Sequence, residues 1–272
     1  MMNILNITES NREAWNEVST YHRTARNNSL QIGFANPEYT TLNRDCDDVL
    51  IAKIRDINIS GKTISQMPCN NGRELLSLMR FGAKEAIGFD ISDAAIEEAK
   101  QLADISGKNA KFERVNILEI DCKYNKQFDF IYISEGSLQW FPDLNEYFSV
   151  VSRLLNENGE ILIFEIHPFA YFFDNDDYLE SQDFKKTISY FSKSPHHYKT
   201  GMDYVGGVQY EAKKCYWFMH KMSDIINAIL QNGMNIQDFN EYNLEMANNE
   251  ITRHLDKFPL SYILHCRKNI NA

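Results

Sequence analysis

The residues that invite a chemical reading lie in one stretch, TISQMPCNNGRELLSLMRFGAKEAIGFDIS, from Thr63 to Ser92. It reads as a strand, a tight turn, a helix and a second strand that ends on an acid, Asp90. Open α/β sheets bind ligands beyond the carboxyl ends of their strands, where the strand order reverses, usually at the first strand. Here that strand runs into Cys69-Asn70-Asn71-Gly72 and then a helix, so backbone N–H groups at a helix start are expected to face the crevice. Asp90 follows Gly72 by 18 residues, where its carboxylate can accept hydrogen bonds from both hydroxyls of a ribose. Its plainer role is to cap the turn beside Ser92. A nucleoside ligand is the chemistry this pattern predicts.

A dinucleotide loop needs G-x-G-x-x-G so that the backbone can press against a pyrophosphate, and only Gly72 of that set is present, which disfavours NAD and FAD. A ligand without phosphates, such as S-adenosylmethionine, asks only for a turn that lets its methionine portion pass. Asn70 and Asn71 tolerate the left-handed conformations that glycine would otherwise supply. For proton transfer, His167 at the end of the fifth strand and His220 in YWFMH are the candidates by residue type, and His167 is the catalytic choice because strand ends face the crevice. Each is otherwise a packed or surface histidine. Tyr21, Trp140 and Trp217 can wall a substrate pocket or cage a sulfonium by cation–π contact; their bland alternative is plain core. No metal site is expected. The five cysteines form no C-x-x-C pair, and Asp174, Asp176 and Asp177 read as a solvated loop.

The elements that must position these residues alternate short apolar runs with amphipathic helices, the signature of βαβ units around a parallel sheet. Strands are predicted at 63–67, 85–89, 111–115, 128–133 and 160–166, with helices near 72–81, 92–106 and 143–155. Ser92 is an expected N-cap with Gly107 closing that helix, and Asp143 caps the next with Glu146 three residues on. A helix near 221–232 and strands near 235–241 and 260–268 complete the pattern. Between them, about 168–215 is irregular, rich in Tyr, Phe and Asp, and reads as a lid or binding insertion. Residues 1–60 read as a helical arm that caps the strand ends, and 61–268 as the main domain.

On QMPCNNGRELLSLMRFGA, AIGFDIS, RVNILEI and the long run from FDFIYISEGSLQW to FEIHPF, the chain resembles class I S-adenosylmethionine-dependent methyltransferases, over roughly residues 60–268. The resemblance implies a Rossmann-like α/β fold with a seven-stranded sheet, mostly parallel with an antiparallel last strand and helices on both faces. It implies that Met67, Pro68, Cys69, Asn70 and Gly72 border the methionine and ribose, Asp90 holds the ribose and Ile91 packs on the adenine. Asn116 and Ile117 would meet the adenine edge, and Ser134 and Glu135 the methionine end. The chain departs from the family pattern at Gln66, where an acid is usual, and at Pro68 and Asn70, where glycines are usual. Gln66 hydrogen-bonds but cannot salt-bridge the ammonium of the ligand. The expected activity is therefore methyl transfer to a small molecule, with a catalytically silent ligand-binding protein on the same fold as the alternative.

Charge and composition narrow the partners. With 38 Asp plus Glu against 28 Lys plus Arg, the net charge of −10 opposes docking on a phosphate backbone, and the N-P-P-Y/F motif of many amino-methylating nucleic-acid enzymes is absent after the fourth strand. No window is long and apolar enough to cross a bilayer, and the N-terminus carries no signal-peptide pattern, so a cytoplasmic location without membrane or nucleic-acid partners is expected. The sequence does not fix the oligomeric state.

Overall fold

The computed structural model describes residues 4–173, 181, 183–198, 201–246 and 257–269. Three helices, α1 (Ile4–Arg26), α2 (Ser29–Phe34) and α3 (Asp47–Ile57), precede the first strand. The alternating core then runs β1 (Thr63–Gln66), α4 (Arg73–Leu78), β2 (Glu85–Asp90), α5 (Asp93–Ser106), β3 (Ala110–Arg114), β4 (Phe128–Ile133), α6 (Leu144–Leu154) and β5 (Leu155–Ile166). After the insertion, which contributes a two-residue ladder of β6 (His196–His197) and β7 (Tyr216–Trp217), come α7 (Met222–Gln231), β8 (Met234–Tyr242) and β9 (Ser261–Lys268).

The sheet order is β3-β2-β1-β4-β5-β9-β8, with the first five strands parallel and β9 antiparallel to both of its neighbours. This is the seven-stranded Rossmann-like arrangement expected from the sequence. The order reverses between β1 and β4, which opens the crevice beyond their carboxyl ends.

Strands buried on both faces read as continuous apolar runs, and β4 shows why. Phe130 and Tyr132 point into a layer with α3, α4 and α5, while Phe128, Ile131 and Ile133 point into a layer with α6 and α7. In β5, Leu162 and Phe164 alternate in the same way with Ile161 and Ile163.

Local chemistry sets the ends. Ser92 Oγ accepts from the Ala95 N–H, and Gly107 closes α5 in a left-handed conformation at φ 62°. Asp143 accepts from the N–H groups of Asn145 and Glu146. Two boundaries differ from the pattern in the sequence. The helix expected to reach residue 81 ends at Leu78 and tightens into a 3₁₀ turn over Met79–Phe81. The strand expected from 160 begins at Leu155, directly after α6: Leu155 pairs with Phe128, and after a register shift the ladder resumes with Glu160 opposite Phe130.

The helical arm and the insertion meet each other. The Asn11 side chain hydrogen-bonds in both directions with the Tyr216 backbone at 2.8 and 2.7 Å. Ser10 donates to the Lys214 carbonyl at 2.6 Å, Glu17 accepts from the Lys213 N–H at 2.9 Å, and Tyr21 stacks on Tyr210 with ring centroids 4.2 Å apart. Asn16 ties α1 to the start of α5, accepting from Ser92 Oγ at 2.8 Å and the Ala94 N–H at 3.2 Å. Asp174, Asp176 and Asp177 lie outside the described residues. No helix among the described residues is long and apolar enough to cross a membrane.

Candidate active site

Beyond the carboxyl ends of β1, β2 and β4 lies a cavity of about 950 Å³. Its floor is the loop after β1. The Met67-Pro68 peptide is cis, and Tyr147 on α6 donates to the Met67 carbonyl at 2.6 Å. Asn70 takes a left-handed φ of 48°, and the Cys69 N–H bonds back to the Phe89 carbonyl at 2.9 Å. Gly72 is also left-handed at φ 73°, and a Cβ there would sit 2.5 Å from the Phe112 ring. Gly88 on β2 has the same ring at 2.6 Å. These glycines thus make room for Phe112 beneath the loop, and Gly72 does not line the cavity.

Asp90 fastens the loop to the end of β2. Its Oδ2 accepts from the Asn70 N–H at 2.8 Å and its Oδ1 from the Ser92 N–H at 2.9 Å. Burial pushes its carboxyl above the usual range, while the N–H groups of Ser92, Asn70 and Ile91 oppose the shift. The Asn71 N–H closes on Asn70 Oδ1 and its side chain donates to Glu98 at 3.1 Å. The N–H groups of Asn70 and Asn71 are therefore spent inside the loop rather than presented to the crevice. With three backbone donors on it, the Asp90 carboxylate still has room to accept from a further donor, and the residue borders the cavity.

The acid missing at position 66 has two neighbours that supply charge. Gln66 Nε2 donates to Glu74 Oε2 at 2.8 Å and to Ser134 Oγ at 2.9 Å, which leaves Gln66 Oε1 buried without a partner. Glu135, after β4, accepts from Arg44 at 2.6 Å through Oε1, while its Oε2 is buried and unpartnered. Burial raises the Glu135 carboxyl in spite of the pull of Arg44, whose own guanidinium is pushed up by Asp47 and Glu135 against the cost of burial. Gln139 Oε1, four residues on, is a third buried acceptor without a donor. Glu135 and Gln139 line the cavity and Gln66 joins their loop through Ser134, so three buried acceptors on this side lack donors among the described residues.

The loop that carries Ser134, Glu135 and Gln139 is held from behind by Glu165 near the end of β5. Its carboxylate accepts from the N–H groups of Gly136, Ser137 at 2.8 Å, Leu138 at 3.1 Å and Ile166 at 2.7 Å. Full burial pushes its carboxyl up to about 7, against four donors that favour the charged form.

Of the residues singled out from sequence, Pro68, Cys69, Asn70, Asp90, Ile91, Asn116, Ile117, Ser134, Glu135 and Trp140 line the cavity. Trp140 meets Trp15 of α1 edge-to-face at 5.3 Å. Gln66 lies just beneath the wall, and Met67 is fully buried on the other face of the sheet. The rest stand elsewhere. His167 was expected to face the crevice, but its Nδ1 accepts from the Phe169 N–H at 3.1 Å and its Nε2 lies 3.0 Å from Glu241 on β8, so the ring is turned towards the antiparallel edge. Burial lowers its pKa, with Glu241 opposing. His220 Nε2 donates to the Phe141 carbonyl at 2.9 Å, Trp217 is buried core beside Tyr171, and Tyr21 is stacked on Tyr210. No histidine lines the cavity among the described residues. Arg44, Arg73, Glu74, Gln139 and Tyr204 line it without having been singled out. Only Glu74 had a readable signal, an acid in the first turn of the helix that the loop opens.

Residues 60–233, more than half of the chain, match the model of a family described as methyltransferase domain. The chain belongs to that family. Its class is the S-adenosylmethionine-dependent, Rossmann-like one, and S-adenosylmethionine is the family's cofactor. Among curated proteins, this chain is similar to the tRNA U34 carboxymethyltransferases of Aliarcobacter butzleri, at 29% identity over 106 residues, and of Campylobacter fetus, at 26% over 107. The first match covers 39% of this chain and 34% of the relative, so the chain spans about a third of the length of these proteins. Among solved structures it is similar to an S-adenosylmethionine-dependent methyltransferase of Listeria monocytogenes, with a TM-score of 0.61 at 16% identity, covering 80% of this chain and 96% of that one. It also resembles the geranyl diphosphate C-methyltransferase of Streptomyces coelicolor, with a TM-score of 0.53 at 12% identity over 82% and 79% of the two chains. At these identities the likeness is one of fold.

Proposed function

We propose that the cavity binds S-adenosylmethionine and that the chain transfers its methyl group to a small-molecule acceptor. The observation that carries the cofactor half is the set of buried acceptors without donors, Gln66 Oε1, Glu135 Oε2 and Gln139 Oε1, beside a loop fastened by Asp90. A ligand with an ammonium group at one end and a ribose at the other supplies the missing donors. In this reading Glu135, backed by Glu74, replaces the acid that Gln66 lacks. Asp90 receives the ribose hydroxyls, Ile91 and Ile117 enclose the base with Asn116 at its edge, and Pro68, Cys69, Asn70 and Ser134 border the chain between. Bound S-adenosylmethionine supplies an activated methyl on its sulfonium. The protein aligns the acceptor in line with it and excludes water. A histidine base has no part in this reading, because His167 and His220 are committed to Glu241 and the Phe141 carbonyl.

The acceptor half rests on size and cover. About 950 Å³ suits a cofactor with a small second ligand, and α1 and the insertion roof the space. The relatives that act on tRNA favour a second reading, a tRNA acceptor, against which stand the net charge of −10 and the acid-rich cavity wall. Incubation with methyl-labelled S-adenosylmethionine and, separately, a small-metabolite extract and total tRNA separates the two. Label in the small-molecule fraction is expected. Label in tRNA alone would reverse the choice, and binding without transfer to either would favour a silent ligand-binding protein.

A further inference from the structure

One corner of the cavity lacks donors; the opposite imbalance occurs at another. Arg73, the first residue of α4, lines the cavity with its side chain 26% exposed; its guanidinium makes no hydrogen bond with the described residues and stands 3.5 Å from Glu74. Arg26, in the last turn of α1, has a side chain 9% exposed, stands 3.8 Å from Glu98, and keeps Nη2 buried without a partner among the described residues. The acids beside both are already engaged, since Glu98 accepts from Asn71 at 3.1 Å and Glu74 from Gln66 at 2.8 Å. Tyr204, from the insertion, lines the same corner, lies in the field of both arginines, and its hydroxyl bonds to none of the described residues. A buried Arg26 Nη2 without an acceptor among the described residues, in the field of a partly exposed Arg73 whose guanidinium is not hydrogen-bonded to them, leaves more N–H donors in this corner than the described acceptors fill, an excess that an anion would answer.

We infer that Arg73, Arg26 and Tyr204 form the binding corner for an oxyanion, a carboxylate or phosphate, carried by the methyl acceptor. Guanidinium groups suit such planar or tetrahedral oxyanions because they donate in parallel pairs. The origin of the residues assigns the anion to the acceptor rather than to the cofactor. The cofactor cradle is made by strand ends and the loops that follow them, whereas Arg26 belongs to the arm, outside the residues 60–233 of the family match, and Tyr204 belongs to the insertion that interrupts the βα alternation. Burial, then the charge of Arg73, depresses the pKa of Arg26, whereas the acids around Arg73, Glu74 first, hold its pKa up against burial. The acceptor class is therefore a small anionic molecule, a deepening that rests on the proposed methyl transfer.

The test titrates inorganic phosphate and acetate, by calorimetry at constant ionic strength in chloride, into protein saturated with S-adenosylhomocysteine. Saturable binding of at least one anion is expected, weakened about tenfold in Arg73→Met, in Arg26→Met and in Tyr204→Phe, the loss of one charge-assisted hydrogen bond. The anion that binds more tightly tells carboxylate from phosphate. Tyr204→Phe alters a half-exposed ring without touching the core, so it remains informative if an arginine variant does not fold. Absent saturation, or equal binding in all variants, overturns the inference. So does a tenfold loss of S-adenosylhomocysteine affinity in Arg73→Met with 5′-methylthioadenosine unaffected, since that assigns the corner to the cofactor's own carboxylate. If wild type does not bind S-adenosylhomocysteine at all, the proposed methyl transfer falls separately, and the same titration on the ligand-free protein still tests the corner.

Discussion

The floor and the roof of the cavity are built in different ways. The floor is backbone fixed by buried carboxylates: Asp90 holds the loop after β1, and Glu165 holds the loop after β4 through four N–H groups. The roof is a seam of side chains between α1 and the insertion, with Asn11, Ser10, Glu17 and the Tyr21–Tyr210 stack at its contacts. Buried charge-assisted bonds make the floor rigid, while partly exposed contacts leave the roof easier to open. A rigid cradle suits a constant cofactor and an adjustable cover suits an acceptor that must enter and leave.

That contrast can be broken at either side. Glu165→Ala leaves four buried N–H groups unpaired and should lower stability by about 4 kcal/mol in urea unfolding, the largest effect expected of any single change here. A loss near 1 kcal/mol would mean that the floor does not depend on this carboxylate.

In the roof, His22 on α1 meets the Met202 carbonyl at 3.2 Å, and burial first, then the charge of Arg26, lowers its pKa to about 4. The folded protein thus resists protonating a group that the unfolded chain protonates near 6.5. Stability from this residue is present above pH 6.5 and is lost as pH falls towards 4, at about 1.4 kcal/mol per unit. The difference in stability between wild type and His22→Gln should therefore shrink by about 2 kcal/mol from pH 6.5 to 5, read by denaturant melts at each pH. A constant difference would refute the burial of this ring.

Smaller effects sharpen the comparison. Glu135→Gln keeps an acceptor for Arg44 but removes the charge offered to an ammonium. S-adenosylhomocysteine should bind about tenfold more weakly while 5′-methylthioadenosine, which lacks the ammonium, binds as before. Asn11→Ala cuts both bonds to the Tyr216 backbone at a cost of about 1 kcal/mol, visible as faster amide exchange over residues 213–217 with that of residues 69–72 unchanged. Equal acceleration in both segments would show one cooperative unit in place of two.

The same division explains what was legible in the sequence. Strands β1 to β5, the Ser92 and Asp143 caps and the left-handed Asn70 are local patterns, so a single chain reveals them. Asp90 and the loop residues along the cavity follow from strand ends that the pattern fixes. His167 illustrates the failure of that logic: it does end a strand, but β8, brought in by a long antiparallel return, offers Glu241 on the other side and draws the ring there. Arg44, paired across 91 positions with Glu135, and Arg26, Arg73 and Tyr204, drawn from three separate elements, depend on docking that no local spacing encodes. Glu165 was hidden because a charged residue inside an apolar strand has no meaning until the loop that it serves is folded over it.

The most direct test of the central claim is calorimetric titration of wild type and Asp90→Ala with S-adenosylhomocysteine, with circular dichroism to confirm that both are folded. The account predicts micromolar binding in the wild type, weakened about 100-fold in the variant by the loss of charge-assisted bonds to the ribose and to the loop. Equal affinity in the two proteins would contradict it.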